Sequence, residues 1–185
     1  RAISAGYAGI IYAANNGANV INCSWGGGTF SATNQEVINF ALSKGCIVVA
    51  SAGNNDNSNF NYPGAFTGVV SVASTDVNDV KSSFSTYGDW VKISAPGSTI
   101  LSTIPFGGYG NLSGTSMASP LVAGLVGLMK SVNPGMPNDD LVNCLYNTAE
   151  SILQQNPTFP GQLGAGRINA QAAVACVSAS LNKAP

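Results

Sequence analysis

"CIVVASAG", residues 46–53, is an almost continuous apolar run with the length of a β-strand. A strand that is buried on both faces needs such a run, and strands of this kind occur in parallel sheets that are flanked by helices. Similar runs follow in VVSVAS at 69–74 and WVKISAPG at 90–97, and the shorter ANVINCS at 18–24 precedes them. We therefore predict an α/β fold with a doubly wound, mostly parallel sheet and helices on both faces.

Segments with helical periodicity surround these strands. They are residues 2–16, a stretch from Ser31 or Thr33 to Lys44, residues 117–129, and residues near 138–149 and 168–179. Gly17 and Gly45 follow the first two segments, and glycine at this position is typical of a helix end. Pro120 is expected near the start of its helix, where proline is tolerated. A Gly-rich stretch to which we assign no element precedes that helix.

The composition favours one compact domain over residues 1–185. The chain is 45% hydrophobic and only 8% charged, with a formal net charge of −1. Because it has no basic stripe, nucleic-acid binding has no electrostatic basis. No apolar stretch reaches the roughly 20 residues of a membrane span, so we interpret residues 117–129 as a core helix. We expect neither nucleic acid nor a membrane as a partner.

The four cysteines allow three full pairings, which the sequence alone does not distinguish. Cys23 ends one predicted strand and Cys46 begins another, so parallel pairing would place them at opposite edges of the sheet. We expect two buried thiols there. Cys144 and Cys176 lie on the two C-terminal predicted helices, where they either form a disulfide or remain thiols. The absence of a CxxC or Cys/His cluster from the sequence argues against structural zinc.

Three segments carry groups that are suited to acyl-transfer chemistry. Ser116 follows Gly114-Thr115 at a helix start, where free N–H groups and positive potential stabilise an oxyanion that forms beside the hydroxyl. Asn54 follows a buried strand, at the end where ligands bind in open α/β sheets. SWGGG at 24–28 offers bare backbone with which an extended peptide can pair. Taken singly, the three segments are more often a helix cap, a turn residue and a flexible loop.

Together and in this order, these segments resemble the subtilisin family of serine proteases. GTSMASP at 114–120, with VAG beyond it, matches the nucleophile motif of that family. VINCSWGG, VVASAGN, NYPG, SSFSTYG, ISAPG and GAGRINAQAAV match its other segments in register. The resemblance implies a subtilisin-like fold, in which residues 1–185 form the C-terminal two-thirds of a single peptidase domain whose N-terminal part is missing.

The resemblance implies a serine endopeptidase that hydrolyses peptide bonds through an acyl-enzyme on Ser116. Asn54 would donate its side-chain amide to the tetrahedral oxyanion, together with the backbone N–H of Ser116. The walls that bind a peptide or protein substrate would be Ser24, Trp25, Gly26, Ala50, Ser51, Ala52 and Gly53. Because these walls are small, we expect room for a large apolar side chain before the cleaved bond.

The chemistry requires no cofactor, but calcium is common in the family that the chain resembles. A structural Ca²⁺ is expected at a position formed by the backbone carbonyls of Gly64, Phe66 and Val69.

The sequence contains no histidine, and a serine hydroxyl without a base is a weak nucleophile. In the family, a histidine oriented by an aspartate is the base, and both come from segments N-terminal to the nucleophile. We therefore expect a missing N-terminal segment or a separate chain to supply the Asp and His. The alternative is a catalytically inactive fragment or a pseudoprotease remnant of the same fold. A sedolisin-like carboxylate base fits less well, because those nucleophile motifs normally lack the Met found here at 117. The family habit and the low charge imply a secreted protein.

Other classes and a common modification fit the sequence poorly. GGYGNLSG at 107–114 departs from the dinucleotide motif G-x-G-x-x-G at its last position. The nucleophile elbow of α/β-hydrolases needs glycine two residues after the serine, where Ala118 stands. Of the two glycosylation sequons, Asn22 falls in a predicted buried strand and Asn111 adjoins the candidate site, so we expect neither to be modified.

Overall fold

A four-stranded parallel sheet forms the centre of the fold. The computed structural model describes residues 5–181. The sheet strands are β1 (Val20–Cys23), β2 (Ile47–Ser51), β3 (Val70–Thr75) and β4 (Ile93–Pro96), and they lie side by side in chain order. All neighbouring strands run parallel, with Cys23 opposite Ala50. Every residue of β2 is buried, as its continuous apolar run predicts.

Helices cover both faces of the sheet, which confirms the predicted fold class. They are α1 (Gly6–Asn15), α2 (Ala32–Ser43), α3 (Thr115–Val132), α4 (Asn138–Asn147) and α5 (Ala170–Leu181). α1 and α2 pack on one face, where Ile38 and Ala41 of α2 are completely buried. α3, α4 and α5 pack on the other face. Ile3, which we expected on the first helix, lies outside the described residues.

α3 is the core helix of the second face. Its side chains Ala118, Val122, Val126 and Met129 are completely buried against the sheet and the neighbouring helices. By length and composition alone α3 is also apolar enough to cross a membrane. Its buried contacts agree with the interpretation as a core helix.

Two connections and one hairpin differ from the expected β/α alternation. Only α2 links neighbouring strands of the sheet, whereas loops join β2 to β3 and β3 to β4. The Gly-rich stretch forms an antiparallel hairpin of β5 (Ile100–Thr103) and β6 (Tyr109–Leu112). Gly107 and Gly108 take positive φ angles of 89° and 98° at its tip, which glycine adopts without strain. Both strands are short and largely exposed, so they lack the apolar pattern that reveals the buried strands.

The cysteines divide into one disulfide and two buried thiols. Cys144 on α4 and Cys176 on α5 form a disulfide with a Cα–Cα distance of 5.8 Å. The sequence left open whether these two cysteines pair or remain thiols, and in the structure they pair. Cys23 and Cys46 are free and buried, as predicted. Asn22 departs from expectation because β1 buries only Ile21 and Cys23 and leaves the side chain between them exposed.

Candidate active site

Thr115 joins Asn54 to the start of α3. The side-chain oxygen of Asn54 accepts hydrogen bonds from the backbone N–H and from the hydroxyl of Thr115, both at 2.9 Å. The Thr115 hydroxyl accepts a third bond from the N–H of Gly53 at 3.1 Å. These bonds hold the carboxamide oxygen of Asn54 and leave its NH₂ group free for a ligand. Thr115 is completely buried, and nothing in its local sequence marks it as more than a neighbour of the serine.

Two N–H donors lie close to the same point beside Gly114. A Cβ atom placed on Gly114 would lie 3.5 Å from Nδ2 of Asn54 and 3.6 Å from the backbone N of Ser116. Among residues 5–181 the Ser116 N–H has no hydrogen-bond acceptor, as is usual in the first turn of a helix. Asn54 is exposed and Ser116 is half-buried, so a substrate can reach both. The geometry suits a negatively charged oxygen that forms next to the Ser116 hydroxyl.

Ser24 fastens the start of α3 to the end of β1. Pro120 lies further into α3 than expected, at a position where its missing N–H deprives the Ser116 carbonyl of the usual helical donor. The Ser24 hydroxyl donates to that carbonyl instead, at 2.9 Å. In return, the Ser116 hydroxyl donates to the Ser24 carbonyl at 3.2 Å. A backbone carbonyl is not a base, so this contact orients the hydroxyl without activating it.

The two expected substrate-binding walls lie side by side, because β1 and β2 are parallel neighbours. Asn61, which the sequence analysis missed, lies against both of them. A Cβ on Gly26 would collide with the Asn61 carboxamide, and one on Gly53 would lie 3.2 Å from it. Nδ2 of Asn61 also donates to the carbonyl of Ser51 at 3.4 Å. The Asn61 carboxamide therefore lies next to both walls, between which we expect a large apolar side chain to fit.

Trp25 packs against α1. Its ring stands edge-on to Tyr7, with the ring centroids 5.1 Å apart. The backbone of Gly6 makes room for the indole, since a Cβ there would lie 2.6 Å from Cζ2 of Trp25. α1 therefore holds the Trp25 side chain in place, directly after Ser24 at the start of the glycine-rich segment.

Cys23 precedes Ser24 directly, but it offers no competing nucleophile. Burial raises the pKa of the Cys23 thiol to about 12. The thiolate is the reactive form of cysteine, so this side chain stays protonated and inert at neutral pH.

The expected calcium ligands lie on one turn of the chain between β2 and β3. The carbonyl of Phe66 already accepts a hydrogen bond from the N–H of Val69 at 3.2 Å. No carboxylate occurs between Gly64 and Val69. In the described part of the chain, no group of three or more His, Cys, Asp or Glu side chains is arranged to hold a metal. The calcium site stays a prediction.

A comparison with known protein families decides the relationship. The model described as "Subtilase family" matches residues 4–166. The chain belongs to the subtilase family. The resemblance that GTSMASP and the other segments carry is thereby confirmed.

Thermitase and subtilisin BL are among the individual proteins to which the chain is similar. The chain is 46% identical to thermitase from Thermoactinomyces vulgaris over 166 aligned residues. The alignment covers 90% of this chain and 57% of thermitase. The chain is 42% identical over 172 residues to subtilisin BL from Lederbergia lenta, covering 93% and 62%. The chain thus spans about three fifths of the length of these relatives.

Solved protease structures share the fold. A protease from Pseudoalteromonas arctica PAMC 21717 superposes with a TM-score of 0.84 at 36% identity, covering 93% of this chain and 58% of that one. The patellamide maturation protease PatA superposes with a TM-score of 0.85 at 29% identity, covering 94% and 68%. The subtilisin-like arrangement of sheet and helices is therefore present in this part of the domain.

Proposed function

We propose that this chain is the nucleophile-bearing part of a serine endopeptidase, in which Ser116 forms an acyl-enzyme with the substrate. The observation that carries the proposal is the placement of the Asn54 side-chain amide and the Ser116 N–H near one point beside Gly114. The hydroxyl of Ser116 belongs to the same residue as one of these donors. A peptide carbonyl placed there would present its carbon to the hydroxyl and its oxygen to the two N–H groups.

The chemistry follows from this placement. Attack of the Ser116 oxygen on the carbonyl carbon breaks the C=O π bond and moves its electron pair onto the oxygen, which becomes an anion. The two N–H donors and the positive end of α3 stabilise that charge. The base that removes the serine proton returns it to the leaving amine, and water then hydrolyses the ester. Removal of one oxyanion donor, as in subtilisin itself, lowers kcat by about 10²–10³.

A histidine base would come from outside these 185 residues, because they contain no histidine. We propose that an N-terminal segment or a companion chain supplies the Asp and His. The outer side of α3 supports the proposal, since Leu121 and Leu128 are 41% and 50% exposed there. Gly124 lies between them and has open space beside it. An uncovered apolar helix side of this kind is typical of a surface that another segment covers.

The alternative is an inactive fragment or remnant of the same fold, and active-site labelling separates the two. A fluorophosphonate should label Ser116 in the longer protein that includes the Asp and His, and it should leave residues 1–185 alone unlabelled. Ser116→Ala should abolish labelling, whereas Ser113→Ala, which removes a nearby hydroxyl, should not. Labelling of any other serine, or no labelling of the longer protein, would contradict the proposed function.

The substrate is proposed to be an extended peptide or protein segment. Its backbone would pair with residues 24–26, and the side chain before the cleaved bond would enter between the two walls. Asn61 narrows that space and offers a hydrogen-bonding group, so a residue of moderate size that can pair with a carboxamide should be favoured there.

We propose that the protein is secreted. The Cys144–Cys176 disulfide supports it, because such bonds form and persist mainly in oxidising compartments.

Structural Ca²⁺ at the carbonyls of Gly64, Phe66 and Val69 is proposed as a stabiliser only. Neutral carbonyl oxygens suit a weakly held hard cation, and none of the steps above involves it. Thermal unfolding in millimolar calcium and in EDTA tests the site. Equal unfolding temperatures would exclude it.

A further inference from the structure

Lys81 is a buried cation in a chain that has few charges. Its side chain is only 6% exposed. The ammonium donates to Oδ1 of Asp56 at 2.7 Å and to the carbonyls of Ser82 and Ser85, both at 3.1 Å. Because all three N–H groups have acceptors, the burial of this charge is compensated. Its partner Asp56 is 60% exposed, and an ion pair that reaches solvent contributes little to stability on average, so a role beyond stability is worth considering.

The acceptors of Lys81 belong to two loops that lie against each other. We call them the Asn54 loop, residues 53–57, and the Lys81 loop, residues 81–87. The N–H of Thr86 donates to the carbonyl of Gly53 at 2.9 Å, and the N–H of Asn55 donates to the Thr86 hydroxyl at 3.3 Å. Both backbone neighbours of Asn54 are therefore held by the Lys81 loop.

Two aromatic rings lie near the ammonium. Nζ lies 5.3 Å from the centre of the Tyr87 ring and 5.2 Å from the centre of the Phe159 ring, which is within the range of cation–π attraction. The N–H of Tyr87 donates to the carbonyl of Asn57 at 3.0 Å. Lys81 thus stands at the junction of the two loops and contacts groups from both.

Asp56 holds a backbone conformation that its residue type seldom adopts. Its φ is +46°, in the left-handed region that favours glycine. Its N–H donates to the carbonyl of Phe84 at 3.0 Å, and its carboxylate binds Lys81. These contacts fix the turn two residues after Asn54, even though the Asp56 side chain is 60% exposed.

We propose that Lys81, acting through Asp56 and the carbonyls of its own loop, is a positioning residue for the oxyanion donor Asn54. The inference deepens the proposed function and rests on it. Thr115 holds the oxygen of the Asn54 side chain, while Lys81 holds the backbone from which that side chain extends. Small displacements of a donor lower the reaction rate steeply, so release of the loop should act on kcat.

Kinetics of the longer protein, normalised to the sites that a fluorophosphonate titrates, test the proposal. Lys81→Met should lower kcat about tenfold, and Asp56→Asn about threefold, with KM changed less than about twofold. Asp56→Asn replaces a largely exposed carboxylate by an amide of the same shape, so it keeps the test decisive if Lys81→Met does not fold. In an Asn54→Ala background neither substitution should lower kcat further.

Asp79→Asn is the matched control. Asp79 also has a positive φ of 62° and an ion pair, at 2.6 Å to Arg167, but it makes no hydrogen bond to the Asn54 loop. Its replacement should change the unfolding temperature and leave kcat per titrated site unchanged.

Each result bears on a different claim. Unchanged kcat in both test variants, or an equal loss in the Asn54→Ala background, would overturn the positioning role alone. Failure of the unaltered longer protein to be labelled would overturn the proposed function, and this inference with it.

Discussion

Thr115→Val tests how the side-chain amide of Asn54 is aimed. The substitution keeps the shape of the side chain and removes a hydroxyl that makes two hydrogen bonds, one to Asn54 Oδ1 and one from the Gly53 N–H. Asn54 Oδ1 keeps its bond from the Thr115 backbone at 2.9 Å. The amide should therefore be loosened rather than lost.

The magnitude follows from counting those bonds. One neutral hydrogen bond contributes about 0.5–1.5 kcal/mol net, so kcat should fall roughly two- to tenfold. This is far below the loss of about 10²–10³ expected for removal of the donor itself. The half-buried Gly53 N–H also loses its acceptor, which should cost about 1 kcal/mol and lower the unfolding temperature by about 2–4 °C.

The assay is steady-state kinetics of the longer protein per titrated site, together with thermal unfolding. Thr115→Ser retains the hydroxyl and should keep most of kcat. In the Asn54→Ala background, Thr115→Val should have no further effect on kcat, because the group that it aims is gone. A loss as large as that of Asn54→Ala, or the same loss in both backgrounds, would refute the reasoning.

Three further predictions concern the oxyanion donor, the pocket and the disulfide. Asn54→Ala should lower kcat about 10²–10³ with little change in KM, because its bond forms mainly in the transition state; an equal weakening of ground-state inhibitor binding would contradict this role. Asn61→Gly should shift cleavage toward larger side chains before the cut, as read from a peptide library, and an unaltered profile would remove Asn61 from the pocket. Replacing Cys144 and Cys176 together by serine opens a link between residues 32 apart. Unfolding by urea should then show a loss of about 3–4 kcal/mol from the greater freedom of the unfolded chain, and unchanged stability would exclude that account.

Much of the site was accessible from sequence because its parts follow predictable elements. Asn54 and the glycine-rich segment come directly after two apolar strands, and Ser116 opens a helix. Parallel strands bring their carboxyl ends to one edge, which favours a common place for Asn54 and the glycine-rich segment, while the roles of Ser116 and Asn54 were implied by the resemblance to the family. Thr115 and Asn61 were missed because neither carries a local signal. A threonine before a helix and an asparagine in a polar loop are ordinary at both positions.

The buried strands, the helices and the fold class follow from the amino-acid sequence, whereas the exposed β5–β6 hairpin does not. Apolar runs and helical spacing are patterns of a few neighbouring residues. The burial of β2 on both faces and of the apolar side of α2 can therefore be predicted from the local sequence. Tertiary structure alone decided which distant groups meet. The hydroxyl of Ser24 supplies the donor that Pro120 withholds from the Ser116 carbonyl, 92 positions away. The pairing of Cys144 with Cys176 and the place of Lys81 beneath the Asn54 loop were decided in the same way. Such contacts depend on the packing of whole layers, because a hydrogen bond or an ion pair forms only where the fold brings both partners within about 3 Å of each other.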